Sequence, residues 1–171
     1  MSRIIVTGGR LSYPKLREMD EMSGKYQTSY IFDPQTQGEL GRAIDEAIDA
    51  KWGADRPANL RLPVKNGNEK IDSRTGEVNP AYEGKYYFTA GTKFDAPGVI
   101  KTDGTNASDE DIYGGQNASL SVSVRAWEHP SGGKGVSIDL WNVRIDGGGE
   151  KFGSSDGSAN ADFGVTAASD F

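Results

Sequence analysis

Apolar and polar residues alternate most regularly between Gly115 and Ile145. A period of two runs through residues 118–127 and again through residues 136–141, with the turn formers of 129–133 between them. This period places successive side chains on opposite faces of a strand, so each segment has one apolar and one polar face. The pattern therefore predicts a long antiparallel hairpin.

The predicted polar face of this hairpin carries two tryptophans. In a register that places Arg125 opposite Asp139, Trp127 and Trp141 each lie opposite a serine. Aromatic rings on an open sheet face suit base stacking, which contributes roughly 1–3 kcal/mol per base without selecting a sequence. The alternative is that a helix or a second sheet covers both rings.

Helical spacing of apolar residues occurs at Gln37–Trp52, with charged residues on the opposite side. Gly53 is placed to end this helix. Alternation predicts strands at Lys25–Phe32 and Gly84–Phe94, and a short apolar run at Leu60–Val64 predicts an edge strand because it contains a proline. Polar segments rich in turn formers are predicted as loops: residues 17–24, 65–81 and 97–113.

These elements predict a mainly β fold, an OB-fold-like small β-barrel with one inserted helix and long loops. Residues 1–152 contain all the periodic segments, and we predict that they form one folded domain. Residues 153–171 consist mostly of Gly, Ser, Ala, Asn and Asp. Such a segment buries too little apolar surface to order itself, so we predict a disordered, acidic C-terminal tail.

The formal net charge of −6 by itself disfavours binding to nucleic acid. Its distribution matters more than the total, because the tail contains three aspartates and no lysine or arginine. Residues 1–152 therefore hold all 19 basic residues and 22 of the 25 acidic ones, a balance that allows cations to gather on one face.

The chain contains no cysteine and a single histidine, His129. Disulfides, thiolate metal sites, histidine-rich metal sites and Cys-His catalysis are thereby excluded, and we predict no cofactor, no metal and no catalytic residue. No signal-peptide apolar region and no apolar run of membrane-spanning length occurs. We therefore expect a cytoplasmic protein that does not contact membranes.

Five segments occur in order along nearly the whole chain: Arg10-Leu-Ser-Tyr-Pro, Lys25-Tyr-Gln-Thr-Ser-Tyr-Ile-Phe, Tyr113-Gly-Gly-Gln-Asn-Ala-Ser-Leu-Ser-Val, Gly133-Lys-Gly-Val-Ser-Ile and the closing Asp-Phe. In this order they resemble segments of phage-encoded single-stranded DNA-binding proteins. This resemblance implies an OB fold and sequence-independent binding of displaced single strands during phage replication, recombination and repair in the host cytoplasm. It also implies a tail that contacts partner proteins and competes with DNA for the basic cleft.

The expected mechanism combines an electrostatic groove for phosphates with aromatic side chains for bases. For each position, a ring that only packs or a cation that is only solvated is the alternative. We assign to phosphates Arg10, Lys15, Arg61, Lys93, Arg125 and Lys134, and to bases Tyr13, Tyr87, Trp127 and Trp141.

The expected partners are single-stranded DNA and replication or recombination proteins, with a homodimer as an open alternative to a monomer. We assign Asp170 and Phe171 to a protein partner, since a terminal ring can fill a pocket while a basic residue captures the carboxylate. Bacterial relatives end in several aspartates and Pro-Phe, whereas a single aspartate precedes the final residue here.

Two other classes of protein fit parts of the pattern. A phage structural or assembly protein with a β-sandwich fold would share the glycine-rich loops and aromatic strands. A nuclease or glycosidase would use the Asp-Glu-Asp cluster at residues 109–111, whose oxygens suit a divalent cation. A solvated acidic loop is the simpler interpretation of that cluster.

Overall fold

The longest strand organises the sheet by pairing with two different neighbours. In the computed structural model, which describes residues 3–152, the strands are β1 Ile4–Asp20, β2 Lys25–Phe32, β3 Lys65–Asn66, β4 Tyr86–Thr92, β5 Gly98–Lys101, β6 Asn117–Glu128 and β7 Lys134–Ile145, and the α-helix is α1 Gly38–Trp52. The first part of β1 pairs with β6 and its second part with β2.

A parallel contact between β4 and β7 closes the sheet into a barrel. The antiparallel neighbours follow the order β4, β2, β1, β6, β7, and Ala90 and Gly91 of β4 then pair with Ile138 and Asp139 of β7. This closed five-strand barrel, with one helix inserted between β2 and β4, confirms the OB-fold-like prediction. The two-sheet sandwich of the alternative class is not the fold of residues 3–152.

The β6–β7 hairpin is confirmed, but its predicted register is wrong by two residues. Arg125 lies opposite Ser137 rather than Asp139, which pairs with Ser123. A bulge then leaves Trp141 without a partner in the ladder. Because a slip of two residues keeps each side chain on its face, both tryptophans still lie on the polar side.

The inward faces of the strands and one face of α1 form a single core. Tyr30, Phe88 and Leu120 are fully buried at its centre. Leu40, Ile44 and Ile48, spaced four residues apart, are the buried stripe of the helix. The remaining buried core positions include Val6, Leu11, Leu16, Phe32, Ala90, Val99, Ala118, Val122, Val124, Val136, Ile138, Leu140, Val143 and Ile145.

Element boundaries differ from prediction mainly in the polar segments. The helix begins one residue later than predicted and ends at Gly53, which has a φ of 56°. The first strand continues to Asp20, into a predicted loop, and β3 and β5 also form where loops were predicted. The predicted strand Leu60–Val64 is reduced to one bridge between Arg61 and Gly135, because its proline cannot donate to a ladder.

Candidate nucleic-acid interface

A groove of about 470 Å³ crosses the outer surface of the barrel where β4 meets β7. Thr28, Ala90 and Val124 point into the core, so their neighbours Gln27, Gly91 and Arg125 face outward and line this groove. We call it the sheet groove. It is lined by Lys25, Gln27, Arg61, Leu62, Pro63, Lys65, Tyr87, Thr89, Gly91, Arg125, Trp127, Val136, Ser137, Ile138 and Asp139.

Trp127 forms one aromatic wall of the sheet groove and is held in place by its neighbours. Its indole N–H donates to the Oγ of Ser137 at 2.9 Å. It lies across Gly135, where an added Cβ would be 2.7 Å from the ring, so this close approach requires glycine. His129 packs edge-on against it, with 5.3 Å between ring centroids. The ring is therefore preorganised for stacking.

Four cationic side chains surround the groove within the described part of the chain: Lys25, Arg61, Lys65 and Arg125. Asp139 is the one carboxylate among the described lining residues. Arg125 donates to Asp139 through Nε and Nη2, at 3.1 and 3.3 Å. Both side chains are partly exposed, so this ion pair contributes at most about 1 kcal/mol and leaves the guanidinium available to a competing phosphate.

A pair of tyrosines marks the far end of the sheet groove. Tyr87 lines the groove, and Tyr82 packs edge-on against it with 5.0 Å between ring centroids. The Tyr82 hydroxyl shares a hydrogen bond of 2.5 Å with the Oγ of Ser12, and burial raises the pKa of Tyr82. The Nζ of Lys70 lies 5.7 Å from both rings, which places a cation over their junction.

A second and larger cleft, of about 1010 Å³, lies on the other side of this tyrosine pair. We call it the bulge cleft because a bulge in β1 forms part of its wall. It is lined by Arg10, Ser12, Tyr13, Pro14, Lys70, Ile71, Asp72, Ser73, Arg74, Asn79, Pro80, Ala81, Tyr82, Gly114, Glu150, Lys151 and Phe152.

The bulge presents Tyr13 to the second cleft. Ser12 pairs with Ser29 and Lys15 with Gln27, so two residues of β1 oppose one residue of β2. Tyr13 has a φ of 49°, a left-handed conformation that costs a non-glycine residue about 1–2 kcal/mol. Its ring is 68% exposed. Strain of this kind is often found at functional sites.

Arg10 fastens the last described residues beside the bulge cleft. Its Nε donates to the carbonyl of Gly115 at 2.9 Å and its Nη2 to the carbonyl of Glu150 at 2.6 Å. The guanidinium also lies 4.4 Å from the ring centroid of Phe152. The Phe152 N–H donates to the carbonyl of Gly114 at 2.9 Å. These contacts fix the point from which the C-terminal segment departs.

The structure brings six of the ten sequence-predicted contact residues to these two clefts. Arg61, Tyr87, Arg125 and Trp127 line the sheet groove, and Arg10 and Tyr13 line the bulge cleft. Asp170, Phe171 and the predicted tail lie outside the described residues.

The other four predicted residues line neither cleft. Lys15 and Lys93 are exposed, and Lys15 is the ladder partner of the groove residue Gln27. Lys134 lies at the hairpin tip, 3.7 Å from Glu128. A hydrogen bond from Trp52, reinforced by the charge of Lys134, lowers the pKa of Glu128.

Trp141, the last of the four, lies further along the outer face of the hairpin. Its indole N–H donates to the Oγ of Ser123 at 2.9 Å, and the guanidinium of Arg3 lies 3.9 Å from its ring. Trp141 is 43% exposed, so no helix or second sheet of the described chain covers it.

Sequence reasoning missed several lining residues of both clefts. Lys25 and Gln27 alternate with the core residues of a strand that was correctly predicted, so the period alone could have indicated them. Lys65 and Lys70 were not missed outright: their sequence allows them to line a cleft, although a solvated loop was the preferred interpretation because no period there indicates which way a side chain points. Phe152 gave no signal beyond being an aromatic residue next to a glycine-rich segment.

The acidic cluster considered for catalysis is used structurally. Residues 109–111 form a 3₁₀ turn, capped because the Asp111 carboxylate accepts from the backbone N–H and hydroxyl of Ser108. These bonds lower the pKa of Asp111. Asp109 lies 3.7 Å from Arg17.

Within residues 3–152 no group of three metal-ligating side chains is assembled. None of the helices in this range is long and apolar enough to cross a membrane.

Solved structures of phage DNA-binding proteins resemble this barrel. The single-stranded DNA-binding protein from bacteriophage Enc34 in complex with ssDNA is 25% identical with a TM-score of 0.67, over 88% of this chain and 89% of that one. A second structure of that protein gives 24% identity and a TM-score of 0.70, over 94% and 89%. The single-stranded DNA-binding protein gp2.5 of bacteriophage T7 gives 13% and 0.63, over 90% and 96%.

Sequence comparison extends the relationship to almost the entire chain. A search of the curated proteins finds no match. A family model described as "Enterobacter phage Enc34, ssDNA-binding protein" matches residues 2–171. The resemblance to phage-encoded single-stranded DNA-binding proteins is thereby confirmed, and the chain belongs to the family of the Enterobacter phage Enc34 single-stranded DNA-binding protein.

Proposed function

We propose that this protein binds single-stranded DNA in the sheet groove, without sequence preference and without catalysis. The observation that carries the proposal is the position of Trp127, held by Ser137 and Gly135 on the wall of a groove surrounded by four cations. Stacking on an aromatic ring tolerates every base, and cations neutralise the backbone that all sequences share. The family membership supports the same function.

In this mechanism the aromatic and the cationic side chains of the sheet groove have separate roles. Bases stack on Trp127 and Tyr87, which both line the groove, while phosphates contact the four lining cations. Small residues such as Gly91 and Thr89 leave room in the groove for the DNA strand. Flanking contacts are proposed for Lys15, Lys93, Lys134 and Trp141, which lie outside the groove.

The cellular role that we propose follows from the family. The protein coats displaced single strands during phage replication, recombination and repair in the host cytoplasm. The acidic tail recruits a replication or recombination protein through Asp170 and Phe171. A homodimer is the oligomeric state to be tested against a monomer by light scattering.

The primary test is titration of the full chain with oligo-dT while intrinsic tryptophan fluorescence is recorded. We expect quenching of Trp127, and an affinity that falls with salt because each contacted phosphate releases counterions. With the four groove cations engaged, the slope of log K against log salt should be about −3, from about 0.7 per contact. Absent binding, or an affinity indifferent to salt, would remove this function.

Asp139→Asn is expected to tighten binding of oligo-dT about two- to fivefold. In the unaltered chain, Arg125 must give up its ion pair with Asp139 before it contacts a phosphate, and the substitution removes that cost. The salt slope should stay near −3, because the same four cations contact phosphate in both proteins. Binding is measured by fluorescence anisotropy with a labelled oligonucleotide.

The matched control for this prediction is Asp45→Asn, which removes the same charge and separates a different arginine pair, Arg56–Asp45. Asp45 lies on the helix outside both clefts, so its loss should leave affinity unchanged. Weaker binding by Asp139→Asn with an unchanged slope would instead show that Asp139 only orients Arg125.

A further inference from the structure

We infer that the bulge cleft is a second binding site for single-stranded nucleic acid, continuing the strand beyond the sheet groove and stacking a base on Tyr13. The inference rests on the proposed function of the sheet groove, but its residues and its cleft are separate. It assigns to this protein two stacking sites joined by one cationic position at Lys70.

Continuity between the two clefts is the first argument. Tyr82 lines the bulge cleft, Tyr87 lines the sheet groove, and their rings are in edge contact. The Nζ of Lys70 lies equally near both rings, at 5.7 Å. A strand that leaves the sheet groove at Tyr87 therefore passes a cation before it enters the bulge cleft.

The local backbone is the second argument. An extended β1 without a bulge would alternate regularly, but the extra residue in β1 turns Tyr13 outward in a left-handed conformation. A ring that only packs would be covered, whereas this one is 68% exposed. The bulge thus maintains an exposed aromatic ring at a position where glycine would be less strained.

The composition of the wall is the third argument. Phe152 supplies a second ring to the cleft that Tyr13 lines. The Phe152 ring and the Tyr13 backbone both approach Gly114, where an added Cβ would lie 3.9 Å from each. Arg10 holds Phe152 in place by its contacts with the ring and with the Glu150 carbonyl. Rings, a nearby ammonium group and open volume are the features that an unpaired nucleotide requires.

The test compares Tyr13→Gly with the unaltered full chain on oligo-dT of increasing length, from about 4 to about 16 nucleotides. Short oligonucleotides that fill only the sheet groove should bind both proteins equally. Long ones should bind the variant about tenfold more weakly, the effect of losing one stacked base. Comparing the proteins at each length cancels the statistical gain that longer strands have from additional registers.

Two control variants test whether the effect is specific to the Tyr13 ring, and a third variant tests the cation at Lys70. Tyr13→Phe keeps the ring and should bind like the unaltered chain at every length. Phe94→Ala removes a ring that is 86% exposed but lines neither cleft, and should also have no effect. Lys70→Gln should reduce the salt slope by about 0.7 for long oligonucleotides alone.

The possible failures are distinguishable. Glycine suits the φ of 49° at position 13, so Tyr13→Gly should melt no lower than the unaltered chain, which circular dichroism would verify. If Tyr13→Gly binds long oligonucleotides as tightly as the unaltered chain does, the second site is refuted while the sheet groove stands. If the unaltered chain binds no length, the proposed function itself fails.

Discussion

Replacing Trp127 with alanine is expected to weaken binding of oligo-dT about ten- to a hundredfold. The substitution removes the ring on which we propose that a base stacks, and such a contact contributes roughly 1–3 kcal/mol. It also exposes Gly135 and removes the hydrogen bond that the indole N–H of Trp127 donates to the Ser137 hydroxyl in the unaltered chain. Because a fluorescent tryptophan is lost, the affinity should be measured by anisotropy of a labelled oligonucleotide.

The control for this loss is Trp52→Phe. The indole N–H of Trp52 donates to Glu128 at 3.1 Å, and the residue lines neither cleft, so its replacement should change affinity less than twofold. Trp127→Phe, which retains a smaller ring, should have an affinity for oligo-dT between those of Trp127→Ala and Trp52→Phe. Equal affinities for Trp127→Ala and the unaltered chain would show that the strand does not stack in the sheet groove.

Tyr30→Phe is expected to lower the free energy of unfolding by about 2–4 kcal/mol, although it deletes one oxygen atom. The hydroxyl accepts from the Gly9 N–H and donates to the Ala118 carbonyl, both at 2.8 Å, in a fully buried position. Its loss leaves a buried donor and a buried acceptor without partners, each costing about 1–3 kcal/mol. Urea denaturation followed by circular dichroism measures the change.

The pH dependence of this contribution has a defined sign. Burial raises the pKa of the Tyr30 hydroxyl above that of the unfolded tyrosine, which is about 10. The stabilisation is therefore fully present below pH 10 and declines as the pH rises above it.

The control for Tyr30→Phe is Tyr86→Phe, at a residue that is 39% exposed, which should change the free energy of unfolding by less than about 0.5 kcal/mol. A similarly small effect of Tyr30→Phe would contradict the assignment of these bonds.

The alternation of the hairpin was sufficient to predict its strands and faces, but not its register. A period of two defines which side chains share a face, and any even slip preserves it. The pairs inferred for Arg125, Trp127 and Trp141 do make contact, but they do so diagonally across the ladder. The bulge at Trp141 depends on how β6 and β7 curve around the barrel, which alternation does not encode.

Regular strands made part of the candidate site predictable, whereas the long polar segment after Val64 gave no basis for choosing among its lysines. Arg125 and Tyr87 could be placed on polar faces because their neighbours alternate with core residues. Lys65 and Lys70 reach the clefts from a long polar excursion whose path is fixed by tertiary contacts such as the Tyr82–Ser12 hydrogen bond. The strand predicted over Gly84–Phe94 ends at Thr92 as β4, which leaves Phe94 exposed.

The sheet groove lies over the junction at which the barrel closes. β4 and β7 are joined there by two residue pairs, whereas the antiparallel neighbours share long ladders. In the proposed complex, a nucleic-acid strand in the groove would contact residues of both edges and tie them together. Occupancy of the groove should therefore suppress separation of β4 from β7, and hydrogen exchange of the amides at that junction should slow when DNA is bound.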